Sequence, residues 1–404
     1  MSILYVVRTG DHLGRIARRF GIHRTALLCA NPQIGDDQVV VPGEMLHIPE
    51  NKRRMYAAGN GDTWKDIADR FGVGMEELLS ANPDQEREEP LPGQQIAIPS
   101  RKGTAIHGSQ TEYGYLELLE DIERFKAAYP FVQAEIIGYS VMGREIPALR
   151  IGTGLAELHY NGAVHANEWI TSALLMRFAE DYAKAYLSGD CIFGCAVKEL
   201  FEQTSLWIVP MVNPDGVELV LSGSAGMGPY RKRLLEWNQG EHNFRGWKAN
   251  IRGVDLNDQF PAFWEEERQR RGKPGAGPRD YAGSSPLSEP EARALAEFTE
   301  NRDFRLVIAF HTQGKEIYWN YREFEPPRSE ELAAHFSRIS GYRPVRLTGS
   351  DAGYKDWFIA RFRRPGFTVE AGIGTNPLPI AQFAEIYGDL KEVMIEAIRA
   401  AAVL

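Results

Sequence analysis

The sequence has few cysteines, no basic stripe and no long apolar run, and each absence excludes a class of protein. Three cysteines in 404 residues cannot form a disulfide framework. Cys191 and Cys195 are close enough in sequence to form one bridge, but free thiols are expected. The net charge of −9, without a basic stripe, argues against a nucleic-acid partner. No apolar run is long enough to cross a membrane.

The N-terminus also lacks the charged, apolar and cleavage regions of a secretory signal, because Met1 to Tyr5 lead directly into a repeat. We therefore expect a cytoplasmic location. The composition, 43% hydrophobic and 25% charged residues, is typical of a globular protein. A chain of 404 residues is long enough for more than one domain.

A duplication opens the chain. Ala30-Asn31-Pro32 matches Ala81-Asn82-Pro83 at an offset of 51 residues, and Pro42-Gly43 matches Pro92-Gly93 at an offset of 50. The second copy is therefore one residue shorter in a loop. Matching order with a single slip indicates an internal repeat rather than coincidence.

Each copy is predicted to be a βααβ unit. The second copy has a strand, a helix whose apolar residues show the 3–4 spacing of positions 64, 67, 68 and 71, a second helix and a closing strand. The two copies, residues 3–49 and 54–99, resemble LysM domains, which bind N-acetylglucosamine polymers such as peptidoglycan or chitin. The alternative is that they only fold or mediate contacts. His12 and Leu13 stand in the first copy where the second has Thr63 and Trp64, which leaves glycan binding by the first copy open. We expect at least one copy to bind glycan.

A linker is predicted over residues 100–112, followed by one large domain over residues 113–404. In this domain, buried-strand runs alternate with amphipathic helical segments. The alternation predicts an α/β fold with a mainly parallel sheet and helices on both faces.

Three predicted strands of this domain end in side chains that could bind a metal. His165 and Glu168 follow the apolar run 158–164, His311 ends the run 305–310, and Glu370 ends the strand that begins at Gly366. Ligands collect at the carboxyl ends of strands in open α/β sheets. Two histidines and one glutamate leave zinc a fourth position for water, which is typical of catalytic zinc. We therefore predict one Zn²⁺ held by His165, Glu168 and His311, with Glu370 as the general base.

The order of these residues resembles the zinc carboxypeptidase family. The resemblance covers roughly residues 113–404 and rests on the motifs Asn-Pro-Asp-Gly at 213–216 and Ser-Glu-Pro-Glu at 288–291, together with the ordered set His165, Glu168, Arg231, Asn257, His311, Tyr354 and Glu370. It implies that Arg231 stabilises the tetrahedral oxyanion. It also implies that Asn257 helps to hold the substrate's terminal carboxylate and that Tyr354 closes over the substrate.

Two positions depart from the family pattern. Asp258 follows Asn257 where ordinary carboxypeptidases carry an arginine, and Asn167 replaces an arginine frequently found within the zinc motif. A carboxylate repels the anion that a guanidinium would bind bidentately, so we do not expect ordinary C-terminal residues as substrates. Asp258 could instead attract the ammonium of a diamino acid such as meso-diaminopimelate. The alternative is that Asp258 caps a turn or pairs with a nearby arginine.

The combination of two LysM-like repeats and a zinc carboxypeptidase-like domain implies a zinc peptidase of peptidoglycan. The expected reaction is hydrolysis of the amide between γ-D-glutamate and diaminopimelate, or lysine, in stem peptides. The expected partners are these peptides and N-acetylglucosamine-containing glycan, and the protein could associate with spore or cell-wall material. One alternative is a metallocarboxypeptidase that acts on the C-termini of muropeptides or proteins. Another is a non-catalytic glycan-binding protein.

Overall fold

A computed structural model describes residues 111–404 throughout and, before them, residues 3–7, 16, 31, 34, 40, 43–48, 54–59, 61–71, 75–80, 82 and 89–98. The helices predicted for the first repeat, with His12 and Leu13, and most of the predicted linker lie outside the described residues. Cys191 and Cys195 are both free. A membrane-crossing helix, long and apolar enough to span a bilayer, is not found in the described part of the chain.

Each repeat brings its first and last strands together. Strands β1 (Ile3–Val6) and β2 (Met45–Ile48) pair antiparallel in the first repeat. In the second, β3 (Arg54–Ala57) is followed by helices α1 (Trp64–Phe71) and α2 (Met75–Ser80) and pairs antiparallel with β4 (Gln95–Ile98). The βααβ order predicted for the second copy is therefore confirmed.

The duplication is also visible in one contact. The Asn82 side chain donates to the carbonyls of Leu78 and Ala97 and accepts from the Ala97 amide, at 2.7–2.8 Å. The Asn31 side chain makes the corresponding pair of bonds to the His47 backbone, at 2.6 and 2.7 Å. In both copies the asparagine of the Ala-Asn-Pro motif therefore fastens the closing strand.

The large domain alternates strands and helices along the chain. Its strands are β5 (Gln133–Tyr139), β6 (Glu145–Ile151), β7 (Ala156–Asn161), β8 (Cys191–Ile192), β9 (Cys195–Ala196), β10 (Thr204–Val209), β11 (Phe304–His311), β12 (Glu316–Tyr318), β13 (Arg343–Val345) and β14 (Gly366–Glu370). Its α-helices are α3 (Tyr115–Ala128), α4 (Ile170–Ser188), α5 (Val197–Gln203), α6 (Pro214–Ser222), α7 (Arg231–Trp237), α8 (Trp264–Arg271), α9 (Pro290–Glu300), α10 (Arg328–Ser340), α11 (Tyr354–Phe362) and α12 (Phe383–Val403).

Eight of these strands form one mixed sheet in the order β13-β12-β14-β11-β7-β10-β6-β5. The four central strands β14, β11, β7 and β10 run parallel. Strand β6 pairs antiparallel with both β10 and β5, and β12 pairs antiparallel with β14 but parallel with β13. Parallel central strands present their carboxyl ends at one edge of the sheet, which is where ligands bind in open α/β folds. The predicted mainly parallel sheet is confirmed.

Both faces of the sheet are covered by helices. Along β11, Leu306, Ile308 and Phe310 pack into one core with helices α4 and α12, whereas Val307 and Ala309 pack into a second core with helices α9 and α11. This alternation follows from the two-residue period of a strand. A strand buried on both faces is rigid, so the side chains at its carboxyl end have fixed positions.

Candidate metal centre and active site

The turn after β7 places two candidate ligands side by side. His165 precedes a 3₁₀ turn, Ala166–Glu168, which leads into α4. The Thr171 hydroxyl ties this turn down, because it accepts from the Ala163 amide and donates to the Glu168 carbonyl, both at 2.8 Å. Gly162 is needed nearby, since a Cβ there would lie 2.9 Å from that hydroxyl. The turn is therefore fixed to the first turn of the helix.

The third candidate ligand arrives from the adjacent strand. His311 is the last residue of β11, which pairs in parallel with β7. Its Nδ1 lies 2.9 Å from Glu168 Oε2 and 3.1 Å from His165 Nδ1, and His165 Nδ1 lies 2.9 Å from Glu168 Oε1. All three side chains are buried, and their ligand atoms lie within 4.8 Å of one another. The structure thus brings together the three residues that the sequence singled out.

The chemistry of this donor set fits a cation. Burial opposes ionisation of Glu168, yet the His165 and His311 imidazoles hold its pKa at about 2. Burial would lower the pKa of His311, but the Glu168 carboxylate raises it above the ordinary value. Two unprotonated Nδ1 atoms that face each other at 3.1 Å would repel, and a cation between them removes that repulsion. A buried carboxylate with two imidazoles is a ligand set that zinc accepts.

Behind the metal group lies a carboxylate that the sequence analysis missed. Asp255 is fully buried, and its Oδ1 lies 3.3 Å from His165 Nε2. A carboxylate on one ring nitrogen of a histidine fixes the tautomer and orientation that leave the other nitrogen free for a metal. Burial would raise the pKa of Asp255, but Lys248 and His165 hold it well below the ordinary value.

The same carboxylate holds a cation that the sequence analysis also missed. Lys248 Nζ lies 2.9 Å from Asp255 Oδ2, and its side chain keeps 19% exposure. Burial would lower the pKa of Lys248, but Asp255 and Asp258 raise it, so the ammonium stays charged. Lys248 also acts electrostatically on Glu168 and Glu370. Since 80 residues separate Lys248 from the zinc motif, no local spacing could have revealed it.

Glu370 stands next to the metal group through strand pairing. It is the last residue of β14 and is aligned with His311 of β11. Burial raises its pKa to about 7, while His311 opposes the rise and Glu168 adds to it. The structure therefore places the predicted base beside the predicted ligands.

Asn257 and Asp258 lie in a 3₁₀ turn directly after Asp255. Asn257 is half-buried, and its side-chain oxygen lies 3.4 Å from the Tyr354 amide. Asp258 is buried and forms a two-point ion pair with Arg271, with N–O distances of 2.8 and 2.9 Å. Burial and the neighbouring Asp255 raise the pKa of Asp258 to about 7. Pairing of Asp258 with an arginine is the alternative that the sequence left open. Binding of a diamino acid's ammonium by Asp258 stays a prediction.

Two predicted site residues have surroundings that do not match their predicted roles. Tyr354 is the first residue of α11 and is fully buried, with its hydroxyl 2.9 Å from Thr299 Oγ1 and its ring against His159. This packing differs from that of an exposed tyrosine that can swing over a substrate. Arg231 is exposed at the start of α7 and lines a cleft that contains none of the three predicted ligands. Its predicted oxyanion role has no support from its position.

One further contact to the metal group comes from the loop after β14. The Asn376 amide lies 3.4 Å from Glu168 Oε1 and donates to the Thr312 carbonyl at 2.9 Å, and the Thr312 hydroxyl donates to the Asn376 side-chain oxygen at 2.7 Å. The loops after β11 and β14 are thereby joined beside the site. Asn376 lies outside the sequence motifs and was not predicted to be a site residue.

Comparison with known proteins agrees with this geometry. Residues 118–372 match the zinc carboxypeptidase family, and residues 5–49 and 58–99 match the LysM domain. The chain is similar to gamma-D-glutamyl-L-diamino acid endopeptidase 1 of Lysinibacillus sphaericus, with 50% identity over 70% of this chain and 71% of that protein. It is 45% identical to the uncharacterized protein YqgT of Bacillus subtilis (strain 168), over 69% of this chain and 75% of that protein.

The fold is similar to that of solved structures at lower identity. Bovine thrombin-activatable fibrinolysis inhibitor, in complex with tick carboxypeptidase inhibitor, superimposes with a TM-score of 0.56 at 20% identity. The match covers 72% of this chain and 98% of that chain. At this identity the comparison shows a shared fold.

Proposed function

Because this chain belongs to the zinc carboxypeptidase family, we propose that it is a zinc-dependent peptidase of peptidoglycan. The proposed reaction is hydrolysis of the amide between γ-D-glutamate and a diamino acid in stem peptides. The observation that carries the reaction type is the convergence of His165, Glu168 and His311 with Glu370 beside them. The 50% identical endopeptidase and the two LysM matches support the substrate class.

His165, Glu168 and His311 would hold the zinc ion, with Asp255 fixing the orientation of His165. When bound, zinc supplies a Lewis acid and lowers the pKa of a water molecule toward neutrality. Glu370 accepts the proton of the attacking water and delivers it to the leaving nitrogen. A base of this kind is typically worth ~10²–10⁴ in rate.

We assign the stabilisation of the oxyanion to Lys248 rather than to Arg231. The Lys248 ammonium is partly exposed, and it acts electrostatically on both Glu168 and Glu370. A cation held in place by Asp255 stabilises the negative charge that develops on the carbonyl oxygen without having to reorganise. Arg231 lines a cleft whose lining residues include none of the three predicted ligands.

Asn257 is our candidate for a polar contact to the substrate, since it is half-buried two residues after Asp255. The LysM repeats would hold the enzyme on the glycan, because tethering raises the local concentration of stem peptides without altering the chemical step.

Mass spectrometry of products from defined muropeptides tests the proposal. A tetrapeptide stem that ends in diaminopimelyl-alanine should release that dipeptide intact. Release of alanine alone would instead show a carboxypeptidase and overturn the assignment of the bond. A chelator should abolish the cleavage and added zinc should restore it, which a non-catalytic glycan-binding protein would not show.

A further inference from the structure

A cleft separates the second repeat from the large domain. It has a volume of about 760 Å³ and is lined from both sides, by Tyr56 and Pro92 of the repeat and by Leu221, Arg231 and Phe244 of the large domain, among others. This volume lies within the range of small-ligand sites. Both parts of the chain must therefore be present to form it.

The lining of the cleft combines polar and apolar side chains, and its charges are close to balanced. Arg70 pairs with Asp62 at 3.2 Å, and Arg245 pairs with Glu112 at 2.7 Å. Arg231 is exposed and has no ion pair with any residue in the described part of the chain. Paired charges beside an aromatic ring and apolar side chains suit a neutral ligand that has hydroxyl and amide groups and also an apolar face. A polyanion would require an excess of unpaired cations.

Two buried polar atoms next to this cleft add to the argument. Glu112 Oε2, on the carboxylate that pairs with Arg245, has no hydrogen-bond partner among the described residues. The Ser222 hydroxyl also has no hydrogen-bond partner among the described residues, and Ser222 directly follows Leu221, which lines the cleft. Buried polar atoms normally have a partner, so we expect a water molecule at each of these two positions beside the cleft.

The cleft lies close to the candidate metal centre. Helix α6 packs with its first turn against the Ala166–Glu168 turn, and its last turn lines the cleft. A nine-residue helix spans about 13 Å. The second connection is shorter, since Arg245 of the cleft and Lys248 of the site are three residues apart. Three residues span at most about 10 Å.

We propose that this cleft binds the N-acetylated glycan from which the stem peptide branches, so that one substrate molecule occupies the cleft and the metal centre together. The inference rests on the proposed function for the nature of the substrate. In a stem peptide, the sugar and the γ-glutamyl bond are separated by a lactyl group, one α-linked residue and one γ-linked residue, an extended length of roughly 12 Å. This length matches the separation of the two sites. The second repeat then aligns the substrate as well as anchoring the enzyme.

Arg231→Ala in the full chain tests the proposal, with Arg233→Ala as the control because Arg233 is exposed on the same helix and does not line the cleft. The measurement is kcat/KM for a disaccharide-linked tripeptide and for the same tripeptide without sugar. We expect Arg231→Ala to lower the value for the glycosylated substrate roughly fivefold, as for a lost hydrogen bond, and the sugar-free value far less. Arg233→Ala should change neither. An equal loss of kcat/KM on both substrates would indicate that Arg231 acts in the chemical step, and it would overturn the proposal.

Ala225→Trp, which fills the cleft from the large-domain side, should reduce the preference for the glycosylated substrate by about tenfold or more. Activity on the sugar-free tripeptide shows whether the Ala225→Trp variant folds. If it does not fold, the result for Arg231→Ala tests the proposal.

Calorimetric binding of N-acetylglucosamine oligomers tests the cleft independently of the reaction. If no stem peptide is cleaved, the proposed function fails, but weaker oligomer binding by Arg231→Ala would still support the cleft. Unchanged binding, or none by the unaltered chain, would overturn it.

Discussion

Buried polar side chains occur both at the metal centre and in the second repeat, but the two regions use them for opposite purposes. At the metal centre, His165, His311 and Asp255 come from separate segments, and two large apolar cores hold those segments in place. In the repeat, Asn82 bonds three backbone groups beside a core with eight buried residues in the described part of the repeat. In the large domain the core positions the polar groups, whereas in the repeat a polar group holds the core together.

This contrast predicts that substitutions at the metal centre remove activity and leave the fold intact. Substitution of the buried Asn82 should destabilise the second repeat and leave the peptidase activity intact.

The largest effect is expected for Glu370→Gln. The amide cannot accept the proton of the attacking water, so turnover should fall by ~10²–10⁴. Zinc content, measured by metal analysis, and the thermal unfolding temperature should stay near those of the unaltered chain. Near-normal turnover would exclude Glu370 as the base.

Lys248→Met should lower kcat by ~10²–10³, because it removes the positive charge beside the developing oxyanion. Lys248→Arg should restore part of the rate, since it restores the charge. A phosphinate analogue of the tetrahedral intermediate should bind Lys248→Met much more weakly, and a ground-state peptide analogue should bind almost as well as before. If both ligands weaken equally, or if zinc is lost in proportion to activity, Lys248 only maintains the site.

Glu291 is a buried carboxylate outside the predicted metal group, and we expect it to affect the free energy of unfolding and not the catalysed reaction. Burial raises its pKa to about 7, and it accepts from the Val141 amide at 3.1 Å. A carboxyl group whose folded pKa exceeds its unfolded pKa contributes stability that is complete below about pH 4.5 and is lost as the pH rises through 7. This loss is on the order of 3 kcal/mol.

We therefore expect Glu291→Gln to unfold with a free energy that falls less between pH 5 and pH 8 than that of the unaltered chain. Denaturant titrations at the two pH values measure the difference. Glu297→Gln, an exposed position on the same helix, is the control and should leave the dependence unchanged. Identical pH dependence in all three proteins would show that Glu291 is already ionised in the folded state.

Asn82→Ala is expected to have the smallest effect. It leaves the Ala97 amide and the carbonyls of Leu78 and Ala97 without their side-chain partner, which should destabilise the second repeat by about 2 kcal/mol. Hydrogen exchange should show faster opening of β4, while cleavage of a sugar-free stem peptide stays unchanged. Lys65→Ala, exposed on α1, serves as the control. Loss of peptide cleavage would mean that the two regions are not energetically separate.

The sequence predicted the repeat, the mainly parallel sheet and the grouping of His165, Glu168, His311 and Glu370. These follow from local patterns, because apolar runs and helical spacing identify the elements. Neighbouring parallel strands then bring their carboxyl ends together. Three of these four residues lie at or after the end of β7 or β11, which are neighbouring parallel strands. Their positions relative to these strands were therefore enough to predict that they lie close together.

Tertiary structure alone decided which cation stands beside the site. Arg231 precedes Lys232 and Arg233 in a run that matched the family order, but Arg231 lines the cleft between the second repeat and the large domain. Lys248 and Asp255 reach the metal centre because residues 241–255 form a loop whose path depends on distant contacts, such as the hydrogen bond from the Ala166 amide to the Lys248 carbonyl. The sequence fixes the position of a residue at the end of a buried strand through the strand's own register. The position of a loop residue depends on which surfaces pack against that loop, and no local pattern of residues records this.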